Sequence, residues 1–183
     1  MLVLVNGPPA SGKSTVAAAL VARRPLALNL DIDLVRGLLG AWRDDPLGSG
    51  LAARRLALAM AATHVEQGHD VVVPQFLARE QFIDDLAAIA AGAEVRFVEV
   101  ALWLTRDEAV QAFQRRSAAA LTQQHRDAAA DVERAGGVPT LEAMYDAWHD
   151  LVSRRPQSRR VTVVEGDVDG TVARIEAILD EGI

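Results

Sequence analysis

Leu2-Val3-Leu4-Val5-Asn6-Gly7-Pro8-Pro9-Ala10-Ser11-Gly12-Lys13-Ser14-Thr15 is the stretch whose reading decides the fold. The apolar run at 2–5 has the makeup of a buried strand, a glycine-bounded loop follows, and helical spacing begins near Lys13. From Gly7 to Ser14 the chain matches G-x-x-x-x-G-K-[ST]. The spacing has a physical reason: four residues between the glycines let the loop wrap a phosphate, and Gly12 lets backbone N–H groups turn inward. The helix beyond then presents the positive end of its dipole to the anion. Gly7, Pro8, Pro9, Ala10, Ser11, Gly12, Lys13, Ser14 and Thr15 are therefore the expected phosphate-holding segment. In that arrangement Lys13 reaches the β- and γ-phosphates of a nucleotide and the Ser14 hydroxyl coordinates Mg²⁺. Thr15, one place beyond the motif, is the poorer metal ligand.

Composition narrows what surrounds this loop. A chain of 183 residues that is half apolar is long enough for one sizeable core, and residues 1–183 are read as a single domain. The net charge of −6 argues against a general electrostatic hold on nucleic acid or on an anionic membrane. Zero cysteines exclude disulfides and Cys-ligated zinc. The chain enters its first strand without a basic leader, and no apolar run reaches the ~18 residues of a membrane span. A cytoplasmic protein without membrane segments is expected.

Further along, 13–23 reads as a helix ending before Pro25, and 26–30 as a short strand that delivers Asp31-Ile32-Asp33. Helices are expected at 33–40 and 51–67, separated by the turn-rich Asp44-Asp45-Pro46-Leu47-Gly48-Ser49-Gly50. Val71-Val72-Val73 is a buried strand, 80–91 an amphipathic helix, and 95–104 the longest strand pattern. Thr105-Arg106-Asp107-Glu108 fits a capping box opening a long helix. A polar region at 122–137, a helix at 139–152, a strand at 161–164 and a helix at 171–179 complete the chain. Strands alternating with helices, several of the strands uninterrupted apolar runs, imply a parallel sheet covered on both faces. Ligands in such sheets collect beyond the strand C-termini, so the groups after Val5, Leu30, Val73, Leu104 and Val164 should converge.

These features together resemble the P-loop kinases of the nucleoside-monophosphate and shikimate kinase group. The pattern is most similar to chloramphenicol phosphotransferases, tunicamycin-resistance ATP-binding proteins and the zeta-toxin-like AAA_33 ATPases. The resemblance implies an α/β, three-layer P-loop NTPase fold whose five-stranded parallel sheet has the order 2-3-1-4-5. It also implies a substrate-side helical insertion at about 34–67 and an arginine-bearing helical lid at about 115–140. ATP, Mg²⁺ and a small-molecule acceptor are the ligands implied.

Asp31-Ile32-Asp33-Leu34-Val35-Arg36 looks like the D-x-D of shikimate kinases, and Asp33-x-x-Arg36 also matches the D-x-x-R of zeta-toxin-like proteins. Phosphoryl transfer to a hydroxyl needs a carboxylate within hydrogen-bond reach of that hydroxyl, and Asp33 is the candidate general base. Asp31 is the candidate holder of a Mg²⁺-bound water or of the lysine, and Arg36 a candidate acceptor anchor. The plainer reading has one aspartate capping the next helix and the other solvated. Unlike many P-loop enzymes, the third strand ends in no acid but runs into Pro74-Gln75-Phe76. Gln75 can bond a substrate or a metal-bound water without supplying charge.

Among the lid residues, Arg115 and Arg116 are the leading candidates to meet a transferring phosphoryl group. If the helix is continuous, Arg126 falls within about 20° of the Arg115 face. A hinge near Gly136-Gly137 would permit closure. Trp42 sits where the acceptor pocket should be walled. Gly166 and Asp167 occupy the position where this group of kinases contacts adenine, although Asp167 also suits a helix N-cap. His64, His69, His125 and His149 lack metal-ligand spacing and are read as structural or solvated.

The activity expected is ATP-dependent phosphoryl transfer to a hydroxyl of an antibiotic, sugar derivative or metabolite. The rivals are a nucleoside or nucleotide kinase, and an ATP-binding protein that hydrolyses slowly or only switches shape.

Overall fold

A computed structural model describes residues 1–119 and 122–181. Its strands are β1 (Leu2–Asn6), β2 (Leu28–Asn29), β3 (Val71–Gln75), β4 (Phe97–Trp103) and β5 (Arg159–Thr162). The helices among the described residues are α1 (Lys13–Val21), α2 (Ile32–Gly37), α3 (Pro46–Glu66), α4 (Gln81–Gly92), α5 (Arg106–Ala119), α6 (Gln123–Arg134), α7 (Val138–Ser153) and α8 (Val168–Asp180). All the strand pairs are parallel and the sheet order is β2-β3-β1-β4-β5. This is the α/β three-layer arrangement expected above.

Alternation along the strands sorts the side chains into two cores. Leu2, Leu4, Val71 and Val73 face α3 and α4 through Ala53, Ala57, Ala61, Ile83 and Leu86. Val3, Val5, Val72 and Val100 face α1 and α8 through Val16, Leu20, Val172 and Ile175. Each fully buried Leu or Ile contributes roughly 1.5–3 kcal/mol. These two layers hold the loop after β1 at the C-terminal edge of the sheet.

The departures from the expected elements have local causes. The turn-rich segment at 44–50 opens α3 instead of separating two helices. Asp45 caps it by accepting from the Gly48 N–H at 2.9 Å, and Pro46 takes the first-turn position where its missing N–H costs nothing. The second strand shrinks to two residues because Leu26, at φ 57°, still belongs to the turn after α1. Val95 does not enter β4, since its N–H closes the end of α4 on the Ala90 carbonyl at 2.9 Å. The last strand starts at Arg159, earlier than read, because as an edge strand it buries only Val161.

The most consequential difference is in the lid. The polypeptide from Arg106 onward forms two helices, with Thr122 capping α6 by accepting from the His125 N–H at 3.2 Å. Arg115 and Arg126 thus sit on separate helices, and the shared-face expectation fails. Residues 120–121 of the expected lid and 182–183 of the expected single unit lie outside the described residues. Among the described residues no helix is long and apolar enough to cross a membrane.

Candidate nucleotide and acceptor site

The loop after β1 is shaped by close approach. A Cβ on Gly7 would lie 2.6 Å from Ser11 Oγ and 3.1 Å from Leu102 Cβ, so only glycine lets the turn pack against β4. Gly12 takes φ 86° at the N-cap of α1, where no side chain accepts from the first-turn N–H groups and no acid occupies the first turn. Ala10 also holds a left-handed φ of 66°, a strained setting for a residue with a Cβ. The buried Ser11 Oγ has no hydrogen-bond partner among the described residues. The cradle thus presents unspent donors to an anion.

Lys13 is half-buried and folds back over the loop, its Nζ donating to the Pro8 carbonyl at 2.9 Å. Burial, and then the nearby Arg116 guanidinium, lower its pKa to about 8, against the opposing pull of Asp33 and Asp31. Ser14 Oγ donates to Asp31 Oδ2 at 3.0 Å, while Asp31 Oδ1 accepts from the Asp33 N–H at 2.9 Å and caps α2. Asp31 therefore serves as the helix cap of the plainer reading and also meets the loop serine. Ser14 and Asp31 are hard oxygen donors at one point, a set suited to Mg²⁺, which keeps waters and draws other ligands from phosphate. Among the described residues there is no cluster of three or more His, Cys, Asp or Glu placed to hold a metal by itself.

Asp33 occupies the first turn of α2, on the wall of the same cleft. Its surface is open to solvent, yet protein surrounds it, and this burial raises its carboxyl pKa, with the Asp31 charge adding to the rise. Lys13, Arg36 and Arg116 act in the opposite sense. Lys13, Asp33 and Arg116 are therefore electrostatic neighbours. Gln75 ends β3 beside Asn6 of β1. Asn6 pins the chain just beyond, accepting from the Leu77 N–H at 3.0 Å and donating to its carbonyl at 3.1 Å.

The two leading lid arginines go to different places. Arg116 lies with its guanidinium 5.0 Å from the Phe113 ring centre, its buried Nε without a hydrogen bond among the described residues. Arg115 instead pairs with Glu165 at 2.9 Å, beside Gly166. Arg126 donates from Nε and Nη2 to Gln123 Oε1 at 3.2 and 3.0 Å. Arg36 is directed into its own connection, Nε to Ser49 Oγ at 3.0 Å and Nη2 to the Pro46 carbonyl at 3.2 Å. Trp42 lies under the Arg36 and Arg43 guanidiniums, at 4.7 and 4.2 Å. Arg43 then crosses to Asp127 of α6 at 2.7 Å, closing a cavity of about 60 Å³ that Trp42 helps to wall.

A larger cavity of about 490 Å³ lies on the other side of the loop. Ala10, Ser11, Gly12 and Thr15 form its floor, and Gly166 and Asp167 part of its wall. Asp167 also caps α8, accepting from the Gly170 N–H at 2.9 Å. Sequence reasoning missed other parts of the wall: Leu104 just after β4, Glu108, Gln111 and Ala112 from α5, and Val163, Val164 and Glu165 from the segment after β5. Residues 108, 111, 112 and 115 are one helical face at i, i+3, i+4 and i+7, a pattern legible in the sequence once its facing is known.

A strand, a glycine-bounded phosphate loop on a helix N-terminus, and an acidic pair leaving the second strand of a 2-3-1-4-5 sheet define the P-loop kinase-like class. Within it, the chain belongs to the AAA_33 family, described as an AAA domain, whose model matches residues 2–135. No curated protein matches the chain. Solved structures do. A candidate kinase from Chloroflexus aurantiacus shares 18% identity at a TM-score of 0.66, with 100% of this chain and 97% of that one covered. The APS kinase of Mycobacterium tuberculosis, in complex with AMPPNP and APS, shares 22% at 0.63, covering 98% and 97%. The tunicamycin resistance protein of Deinococcus radiodurans shares 14% at 0.58, covering 98% and 95%. At these identities the likeness is one of fold.

Proposed function

We propose that this protein is an ATP- and Mg²⁺-dependent phosphotransferase that moves the γ-phosphoryl group to a hydroxyl of a small molecule. The observation that carries the reading is the mutual proximity of Lys13, Asp33 and Arg116 at the mouth of the phosphate loop. The larger cavity holds the base and ribose of ATP, and the loop N–H groups with Lys13 grip its phosphates. Ser14 and Asp31 would hold Mg²⁺, which would supply positive charge to offset that of the phosphates. Asp33 takes the proton of the acceptor hydroxyl as its oxygen attacks the γ-phosphorus and the bond to the bridging oxygen of the leaving ADP breaks. Arg116 and Lys13 stabilise the charge that develops. The raised pKa of Asp33, set first by burial and then by the Asp31 charge, makes it a stronger base than an ordinary aspartate. Arg36, Trp42, Gln75 and Arg126 form the acceptor side, and 1–183 act as one cytoplasmic domain.

A rival reading, hydrolysis or switching without transfer, draws on one observation: β3 ends in Gln75 and brings no acid to the site. Measuring ATP consumption with and without a panel of hydroxylated acceptors separates the two. Transfer predicts acceptor-dependent turnover that falls about 10²- to 10⁴-fold in Asp33→Asn with nucleotide binding retained. Turnover that ignores the acceptor and is unchanged by Asp33→Asn would overturn the proposal.

A further inference from the structure

The lid contributes one polar group that the reading above leaves unused. On a helix advancing about 100° per residue, His125 lies about 160° around α6 from Asp127. Asp127 faces the Arg43 connection, and His125 faces the other way. His125 shares its side with Ala128, Ala129 and Val132, all of them half-buried. Its Nδ1 is buried and has no hydrogen-bond partner among the described residues. The Arg116 guanidinium acts on this ring from α5, and the Nε of Arg116 is likewise buried and unpaired. Arg116 in turn neighbours Lys13 and Asp33.

Buried polar groups in folded proteins are nearly always paired. Two unpaired ones, on successive helices and within electrostatic reach of each other, with Arg116 also in reach of Lys13 and Asp33, therefore mark the place of a group that a ligand brings. A guanidinium N–H requires an acceptor, and beside a second cation, Lys13, an anionic oxygen is the acceptor the local charge favours most. We propose that His125 contacts the γ-phosphoryl oxygens of the bound nucleotide together with Arg116, as a second lid-borne hydrogen-bond donor. The inference rests on the phosphotransferase reading and adds a residue to it.

The charges that face the ring are Arg116 from α5 and Arg126 from its own helix, and after burial, the largest cause, they lower the imidazole pKa in the free protein. A phosphoryl oxygen at Nδ1 reverses that balance and favours the imidazolium. Binding of a nucleotide that carries the γ-group then strengthens on acidification, whereas binding of one that lacks it does not gain this contribution.

The test is calorimetric titration of AMPPNP and of ADP into the wild type, His125→Ala, His125→Asn and Lys13→Ala. At about pH 8, His125→Ala is expected to weaken AMPPNP roughly tenfold and ADP by less than about twofold. His125→Asn keeps an N–H near the Nδ1 position and is expected to recover part of the loss. In the wild type the ratio of AMPPNP to ADP affinity is expected to rise from about pH 8 to about pH 6, and in both His125 variants that rise should vanish. Equal losses for the two nucleotides, or a pH-dependent ratio that survives His125→Ala, would overturn the inference and leave the loop intact. Lys13→Ala binding nucleotide as tightly as the wild type would overturn the parent reading along with it.

Discussion

Binding a nucleotide polyphosphate at about pH 8.5 is expected to draw a proton from solution, and Lys13 is the group that takes it. Burial and the Arg116 guanidinium hold the free Lys13 ammonium at about 8, against an ordinary value of 10.5. A polyphosphate seated in the loop puts anionic oxygens against Nζ and returns the group toward its ordinary value. A site with a pKa near 8 is about three-quarters neutral at pH 8.5, so roughly 0.7 proton is taken up per nucleotide bound. The sign follows from the two protonation states. Well below pH 8 the free and bound forms are both charged and nothing is exchanged; well above 10.5 both are neutral. Affinity is therefore highest below pH 8 and declines as pH rises toward 10.5. The full difference of about 2.5 decades corresponds to about 300-fold, or ~3 kcal/mol. Titration calorimetry in two buffers of different ionisation heat, at matched pH and without Mg²⁺, reads the proton count directly. Lys13→Arg, which keeps the charge and does not titrate, serves as the blank for every other ionising group, including those of the nucleotide. Identical proton uptake in the wild type and Lys13→Arg would refute the reasoning.

Two further substitutions test other parts of the structure. Asp31→Asn preserves a good helix cap but removes the charge beside Ser14, so the melting temperature should stay close to that of the wild type while the Mg²⁺ concentration needed for half-maximal turnover rises. Comparable loss of stability and unchanged Mg²⁺ dependence would assign Asp31 to capping alone. The Arg155 Nε lies 3.1 and 3.0 Å from the two carboxylate oxygens of Glu99, which is 3% exposed on β4. Arg155→Met strands that charge and should cost about 3–5 kcal/mol in urea unfolding, with Glu99→Met added to it restoring most of the loss. A cost below about 1 kcal/mol would mean that the carboxylate finds water or neutralises itself.

Much of this molecule is written locally. The capping box read at Thr105 and Glu108 forms reciprocally, Glu108 accepting from the Thr105 N–H at 2.7 Å while Thr105 Oγ1 accepts from the Glu108 N–H at 3.3 Å. The pair Asp31 and Asp33 leaves the second strand beside the phosphate loop as expected, because the βαβ connection through α1 leaves these segments few other arrangements. Local signals also misled. Asp44 to Gly50 carries every mark of a turn, yet Asp45 and Pro46 are equally marks of a helix start, and packing against α2 decided for the helix.

Chain order, spacing and side-chain chemistry alone determined the parallel sheet, the phosphate loop and the acidic pair, because each depends on residues a few positions apart or on strands alternating with helices, whereas the order of the strands came from the resemblance to P-loop kinases. The tertiary structure decided where the arginines point. Adjacent residues on α5 diverge by about 100°, so one reaches Glu165, fifty positions away, and the other turns to the loop lysine. It also decided the inward facing of His125 and the wall that α5 gives the larger cavity. Those outcomes depend on how helices roll against one another, and that roll is set by packing over the whole core.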